Sequence, residues 1–374
     1  MTQKLTNTMF TGTLATSKLT GAMGSNDGSA LTGLGGSGAT ISASSPTIST
    51  NPAGGVGTLW SNSTSGELYC CIVATAGQNV WINIGHGIDD VYKFQGTVAG
   101  YTSGNSPNSN VISRFTFGSA NNATDWGDLT VARFSRAGQV SSTHGYTTGG
   151  PAGAGPDVID KFSFTSSGDA TDVGNLTAGR FYACGQSSAR HGYTSGGTPN
   201  GNVIDKFTFV SDANATDVGD LIISRRSSAG HSSTTTGFVT TGFPDVNIIQ
   251  SFSFASDGNA TDLGDLSRDK SDVSGCSSST DGYACGGGGQ NAPILINSID
   301  KFSFVGSGNS TDHGDLVNSL AGTTGTSSTT DGYVVGGGAP MVDVIQKFAF
   351  GSSNNATDLG NLLGVTQDAS GTQY

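Results

Sequence analysis

Charge is scarce in this chain. Only 12% of its 374 residues are charged, and Asp and Glu outnumber Lys and Arg by 28 to 16, a net charge of −12. No basic stripe offsets that balance, which weighs against nucleic acid as a partner. Cysteine is sparse too: Cys70, Cys71, Cys184, Cys276 and Cys285 make an odd number with no C-x-x-C pair, so neither a disulfide framework nor a zinc site is expected. Cys276 and Cys285 fall on neighbouring predicted strands and read as two buried thiols. No apolar run reaches the roughly 18 residues of a membrane span, and Met1-Thr2-Gln3-Lys4-Leu5 does not open a signal peptide. The expectation is synthesis in the cytoplasm without export or membrane insertion. A sustained helical period is missing, as are the G-x-S-x-G, H-E-x-x-H and P-loop motifs of common catalytic sites.

What fills the chain is glycine, 59 residues of it, together with Ser, Thr and Asn in short runs between β-type stretches. Most of it is one unit repeated. Ile159-Asp160-Lys161-Phe162-Ser163-Phe164, with Ala170-Thr171-Asp172-Val173-Gly174-Asn175-Leu176 behind it, has six versions whose isoleucines stand at 112, 159, 204, 249, 299 and 345. The aspartates of the sequel (Asp125, Asp172, Asp217, Asp262, Asp312, Asp358) keep the same spacing of 45 to 50 residues. A period of that size marks a repeat architecture. Two phenylalanines two apart share one face of a strand. A polar hairpin follows, then a weaker strand through Thr171-Asp172-Val173. Nine residues after each leucine stands a glycine with small neighbours: Gly138, Gly185, Gly230, Gly275, Gly325 and Gly371. Such a lean strand suits close backbone approach. The next strand, Gly145-Tyr146-Thr147-Thr148 in one unit, usually ends in a glycine pair, as at Gly149-Gly150, Gly196-Gly197, Gly286-Gly287 and Gly336-Gly337.

Four strands per unit predict blades of a propeller. The lean inner strand, the glycine pair after the second strand, the aromatic third strand and a basic residue opening the next unit (Arg133, Arg180, Arg225, Lys270) resemble the kelch repeat. The resemblance runs from about residue 87 to 374. It departs at Leu320 and Thr366, where the basic residue is lost, and in the fourth strand, whose tryptophan survives only as Trp126. The resemblance implies an all-β, six-bladed propeller and leaves function open. The last unit stops where residues 97–105 resume the pattern, so one blade is expected to take its inner strand from the C-terminal end.

Repeated polar residues read as turn devices. The aspartate two residues before a glycine can accept backbone N–H groups, and the Asn-Ala-Thr triplets at 122, 214, 259 and 355 fit glycosylation sequons yet sit in the repeated hairpin. Calcium at Asp169-Ala170-Thr171-Asp172 lacks the oxygens of a full cage, and other units carry Asn for Asp169. Of the histidines, His144 and His191 repeat one position, while His86, His231 and His313 are isolated. No metal site, cofactor or catalytic group is expected.

Before the repeats, residues 1–56 are low in complexity and read as an extended arm held by a partner. Residues 57–86 read as a small module of three strands, around Trp60-Ser61-Asn62, Gly66-Glu67-Leu68-Tyr69-Cys70-Cys71 and Val80-Trp81-Ile82. The Lys18-Leu19-Thr20-Gly21 and Asp27-Gly28-Ser29-Ala30-Leu31-Thr32-Gly33 phrasing and the tryptophan module resemble N-terminal parts of bacteriophage tail-fibre and other virion proteins. That implies a multi-copy virion component: a tail fibre, appendage or surface decoration. Residues 1–56 would attach to other virion proteins and the propeller would meet a protein or host-surface glycan. Rival readings are a propeller enzyme acting on glycans, a copper-dependent oxidase and a cellular kelch-type interaction protein.

Length variation among the units is confined to the stretch between second and third strands, and loops on one face carry recognition. The candidate binding residues are therefore Gln290, Asn291, Pro293, Ile294 and Leu295 in the longest such loop, residues 288–298, with Phe243 and Pro244 in a neighbouring one.

Overall fold

The computed structural model describes residues 39–64, 67–85, 94–119, 122–134, 137–150, 157–199, 201–288, 295–306 and 308–374. They form two units, residues 1–90 and 91–374. Every element among the described residues is a strand, and the strands make seven four-stranded sheets.

In the first unit Leu59–Asn62, Leu68–Val73 and Val80–Gly85 pair antiparallel. A fourth strand, Thr40–Ser42, joins parallel to Leu59–Asn62. This moves the boundary expected at residue 56. The free edge of Leu59–Asn62 offers unpaired N–H and C=O groups that Thr40–Ser42 can satisfy. Trp60 and Trp81 meet edge to face at 5.8 Å, and their indole N–H groups donate to Ser44 and Thr50 carbonyls at 2.9 and 3.2 Å.

The second unit is six antiparallel sheets of one design. A typical one runs Cys184–Ser187, His191–Ser195, Val203–Thr208, Thr216–Asp220. The sheet holding Ala99–Asn105 takes its first strand from Ser370–Gln373, with Ser370 opposite Ser103 and Gln373 opposite Gly100. Each third strand breaks register after its isoleucine, for example between Ile204 and Asp205. The extra residue strengthens the local twist.

Neighbouring sheets meet in the same three ways all round, and each set of contacts returns to its start. The first is main chain on main chain at the inner strands. A Cβ on Gly185, Gly230, Gly275, Gly325, Gly371 or Gly138 would collide with the main-chain carbonyl of Gly138, Gly185, Gly230, Gly275, Gly325 or Gly371, respectively. No other residue fits there. The second is aromatic. The residue after the second-strand glycine packs on the second phenylalanine of the next sheet, as Tyr101–Phe164, Tyr146–Phe209, Tyr193–Phe254, Phe238–Phe304, Tyr283–Phe350 and Tyr333–Phe117, with centroids 4.6–5.0 Å apart.

The third contact explains the hairpin motif. Asp125, Asp172, Asp217, Asp262, Asp312 and Asp358 each accept the N–H of the glycine two residues on, at 3.0–3.1 Å. The next sheet then clasps the residue after that glycine. Asn214 Oδ1 accepts from Asn175 N–H at 3.0 Å, and Ala215 N–H donates back to the Asn175 carbonyl at 2.8 Å. Asn122, Asp169, Asn259, Asn309 and Asn355 do the same on Asn361, Asp128, Asp220, Asp265 and Asp315. The Asn-Ala-Thr triplets thus serve as turn and sheet-to-sheet clasp together.

Deleting residues 363–374 removes the inner strand of the sheet at Ala99–Asn105 and breaks the series of inner-strand contacts at Gly371. A chain ending at Leu362 is expected to melt at least 10 °C below the full chain in a thermal scan, far more than a frayed terminus costs. His231 makes a second test. It is fully buried between sheets; Nδ1 donates to the Cys276 carbonyl and Nε2 accepts from Thr240 Oγ1, both at 3.1 Å. Burial pulls its pKa down from 6.5 to about 4, against the Cys276 hydrogen bond that raises it. The stabilisation by the neutral ring is whole above about pH 6.5 and fades as pH falls towards 4, a loss on the order of 3 kcal/mol. Gln139 and Gln186 hold the same repeat position, so His231→Gln should fold and flatten that part of a stability-versus-pH curve.

Candidate functional site

The loops between second and third strands lie beside the connections that lead from each fourth strand to the next inner strand. Short bridges join them at Phe181–Thr198, Arg226–Phe243, Ser271–Gly288 and Ala321–Gly338. This face is built by the glycine pair and the basic residue. In one sheet Gly149 and Gly150 both have positive φ, and Gly150 N–H donates to the Arg180 carbonyl at 3.0 Å. A Cβ on Gly149 would lie 2.6 Å from that oxygen, and one on Gly150 would lie 3.0 Å from the passing Arg133 side chain. The pair therefore leaves room for one residue's carbonyl and for the aliphatic stem of another's side chain.

Those side chains cross to the next sheet. Arg133 meets Asp160 at 2.8 Å, Lys270 meets Asp300 at 2.8 Å, and Arg180 pairs with Asp205, all six residues buried. Each aspartate directly follows the repeat isoleucine. Asp160 and Asp205 also accept the N–H and hydroxyl of Thr130 and Thr177. Where the basic residue is lost the acid is lost with it: Leu320 lies opposite Gln346, and Thr366 occupies the position matched by Ser113. Gln346 Oε1 still accepts the Val317 N–H at 2.6 Å, so the amide keeps the main-chain bond without the charge. The basic residue was visible in sequence; its partner was missed. The signal was the residue after isoleucine: Asp occurs only where there is a cation, and Gln346 and Ser113 stand where the cation is lost.

Inside the ring of inner strands lies a narrow pit of about 120 Å³, walled by Gly138, Gly185, Gly230, Gly275, Gly325 and Gly371. At one end Gly96 N–H donates to the Ser327 carbonyl at 2.8 Å, Gln95 Nε2 to the Ser277 carbonyl at 3.0 Å, and Gln373 Nε2 to the Phe94 carbonyl at 2.7 Å. The other end opens on the loop face. Its rim is Tyr182, Ser227, Asp272, Gly322 and Asp368, all in the left-handed region with φ of 53–62°. They are linked N–H to C=O in series at 2.8–2.9 Å. Sequence reasoning missed the rim, although polar residues and glycine two places before each inner strand are a left-handed signal. Burial pushes the Asp272 carboxyl up, against a Ser227 hydrogen bond and the Arg226 charge. The pit is lined largely by main chain, with polar and apolar surface in equal share, and its size suits ordered water or a small group.

Of the sequence-predicted residues, Phe243 is half-buried under the Arg226 guanidinium, 4.5 Å from the ring centre, and Pro244 is exposed. Leu295 is half-buried, its Cδ2 beside Gly288. Gln290, Asn291, Pro293 and Ile294 lie outside the described residues. The five cysteines are free thiols, and burial pushes Cys285 well up. Among the described residues no group of three or more His, Cys, Asp or Glu side chains is placed to hold a metal, and no helix is long and apolar enough to cross a membrane. No family model matches the sequence, and no curated protein is similar to it.

The ion pairs under this face yield a test. Asp205→Asn leaves Arg180 buried without its counter-charge and should cost roughly 3–5 kcal/mol in denaturant unfolding. The double variant Arg180→Leu, Asp205→Gln copies Leu320 and Gln346 and should recover most of that loss.

Proposed function

We propose that this chain is a bacteriophage virion component, a tail fibre, appendage or surface decoration. In it a six-bladed kelch-like propeller is carried behind an N-terminal attachment segment. The observation that carries the binding part of this reading is a division of labour within the repeat. The side chains that recur go into contacts between neighbouring sheets: glycine, aromatic, hairpin Asn, and the Arg–Asp pair. The length changes fall in loops that share one face with the mouth of the pit. A scaffold that holds its walls constant and varies one face suits recognition of a protein or a host-surface glycan rather than a fixed reaction. The attachment part rests on the N-terminal phrasing and the Trp60–Trp81 module.

Mass spectrometry of purified particles tests the virion reading; a chain absent from all particle fractions overturns it. The working face is tested by shortening residues 288–298 to the six residues found at 198–203. Folding should survive, because the repeat accepts that length elsewhere, while adsorption or particle assembly should drop several-fold. Unchanged adsorption together with unchanged particle composition would take this face out of consideration.

A further inference from the structure

Going round the ring, a cation four residues past the repeat leucine is matched to an acid after the repeat isoleucine at three junctions, and neither is present at two. The sixth junction breaks the rule. Arg225 has its cation, but the matching position is Gln250. Gln250 Oε1 accepts the Ile222 N–H at 2.6 Å, as Asp205 accepts that of Thr177. This leaves the amide nitrogen where a carboxylate oxygen would meet the cation. Two donors cannot pair, and Gln250 Nε2 is buried without a partner. Arg225 turns away to the loop of the working face, where it donates to the Pro244 carbonyl at 3.3 Å and the Ser224 carbonyl at 3.5 Å. It is 5% exposed, and among the described residues no carboxylate is bonded to it. A buried guanidinium without a counter-charge is a costly thing to keep, and this chain twice replaces the cation, at Leu320 and Thr366.

We propose that Arg225, beneath the Phe243–Pro244 loop, anchors a carboxylate-binding site in which a ligand's carboxylate takes the place that Asp160, Asp205 and Asp300 fill at other junctions. A guanidinium offers two parallel N–H donors to such a group. Gln250 Nε2 supplies a further buried donor, and Phe243, held by Arg226, gives an apolar wall. Asp272 is bonded to Ser227 and faces Arg226, and Asp245 has a partner of its own. The place to be filled is that of one side-chain carboxylate at the other junctions, so the ligand group is a single carboxylate, supplied by an acidic sugar or by an acidic amino-acid side chain. This chemistry does not depend on the chain being a virion component.

The full chain is titrated with sodium acetate, glucuronate and the α-amide of N-acetylglutamate, each a single carboxylate, against sodium chloride and glucose at constant ionic strength, following Tm and the heat of binding. A saturable rise of roughly 2–4 °C is expected with the carboxylates and none with chloride or glucose. Arg225→Leu copies the Leu320–Gln346 junction and Gln250→Asp copies Arg180–Asp205. Both should fold, and both should lose the shift, the second because its own carboxylate fills the site. Tighter binding of glucuronate assigns the site to acidic glycans, and tighter binding of the acetylglutamate amide to acidic peptides. Equal shifts with acetate and chloride in the unaltered chain, or a carboxylate shift that persists in Arg225→Leu, would overturn the proposal.

Discussion

The approach of the inner strands sets the spacing on which every other contact depends. With no Cβ at Gly185, the strand Cys184–Ser187 lies against the main chain of Ala137–Val140. At that distance Ser187 Oγ reaches the Val140 N–H at 2.8 Å, and Ser232, Ser277 and Ser327 repeat the bond on the next strands at 2.9–3.2 Å. Each inner strand is thus an edge whose polar groups are satisfied partly by the neighbouring sheet. Move two sheets apart by the width of a methyl group and the serine bond, the Tyr–Phe stack and the Asn clasp all lengthen together. The strands are lean because the ring is tight, and the aromatic layer outside them is heavy because it supplies the apolar burial that the glycines cannot.

The same geometry explains how so few charges are used. Side chains that cross a sheet junction near the loop face enter a dry space, where a cation needs an acid placed for it. Three junctions meet that need internally and two avoid it. The few charges that are buried are thus local solutions at the junctions, which is why one unmatched cation stands out.

Much of the fold was legible in the sequence because it repeats. The period, the four strands per unit, the glycine strand and the pairing of Ser370–Gln373 with Ala99–Asn105 all follow from aligning six copies. What stayed hidden crosses a junction. Arg180 and Asp205 are 25 residues apart and belong to different sheets, and Asn214 serves Asn175 rather than its own hairpin. Reading each unit alone assigns such residues to local turns. The strand Thr40–Ser42 was hidden for another reason. Its partner Leu59–Asn62 gives it a role that its own Ser- and Thr-rich surroundings do not announce. The loop face was legible as a place, through loop length, and Phe243, Pro244 and Leu295 fall on loops of that face. The rim of the pit was not, because it is made by backbone conformation more than by side-chain type.

Ser103 and Ser370 meet across the closing sheet although 267 residues separate them in sequence. For a chain emerging vectorially from the ribosome, that order matters. The sheets from Ala137 onward can assemble one after another as they appear, each on a neighbour already made. The sheet holding Ala99–Asn105 must wait, its inner edge bare, until the strand at Ser370–Gln373 is synthesised. Entropy makes the wait tolerable, since closing a long loop costs only logarithmically more than closing a short one. The exposure is in time rather than in energy: through most of synthesis the nascent chain carries one open edge, and that edge is where a chaperone would be of use and where two unfinished copies would find each other.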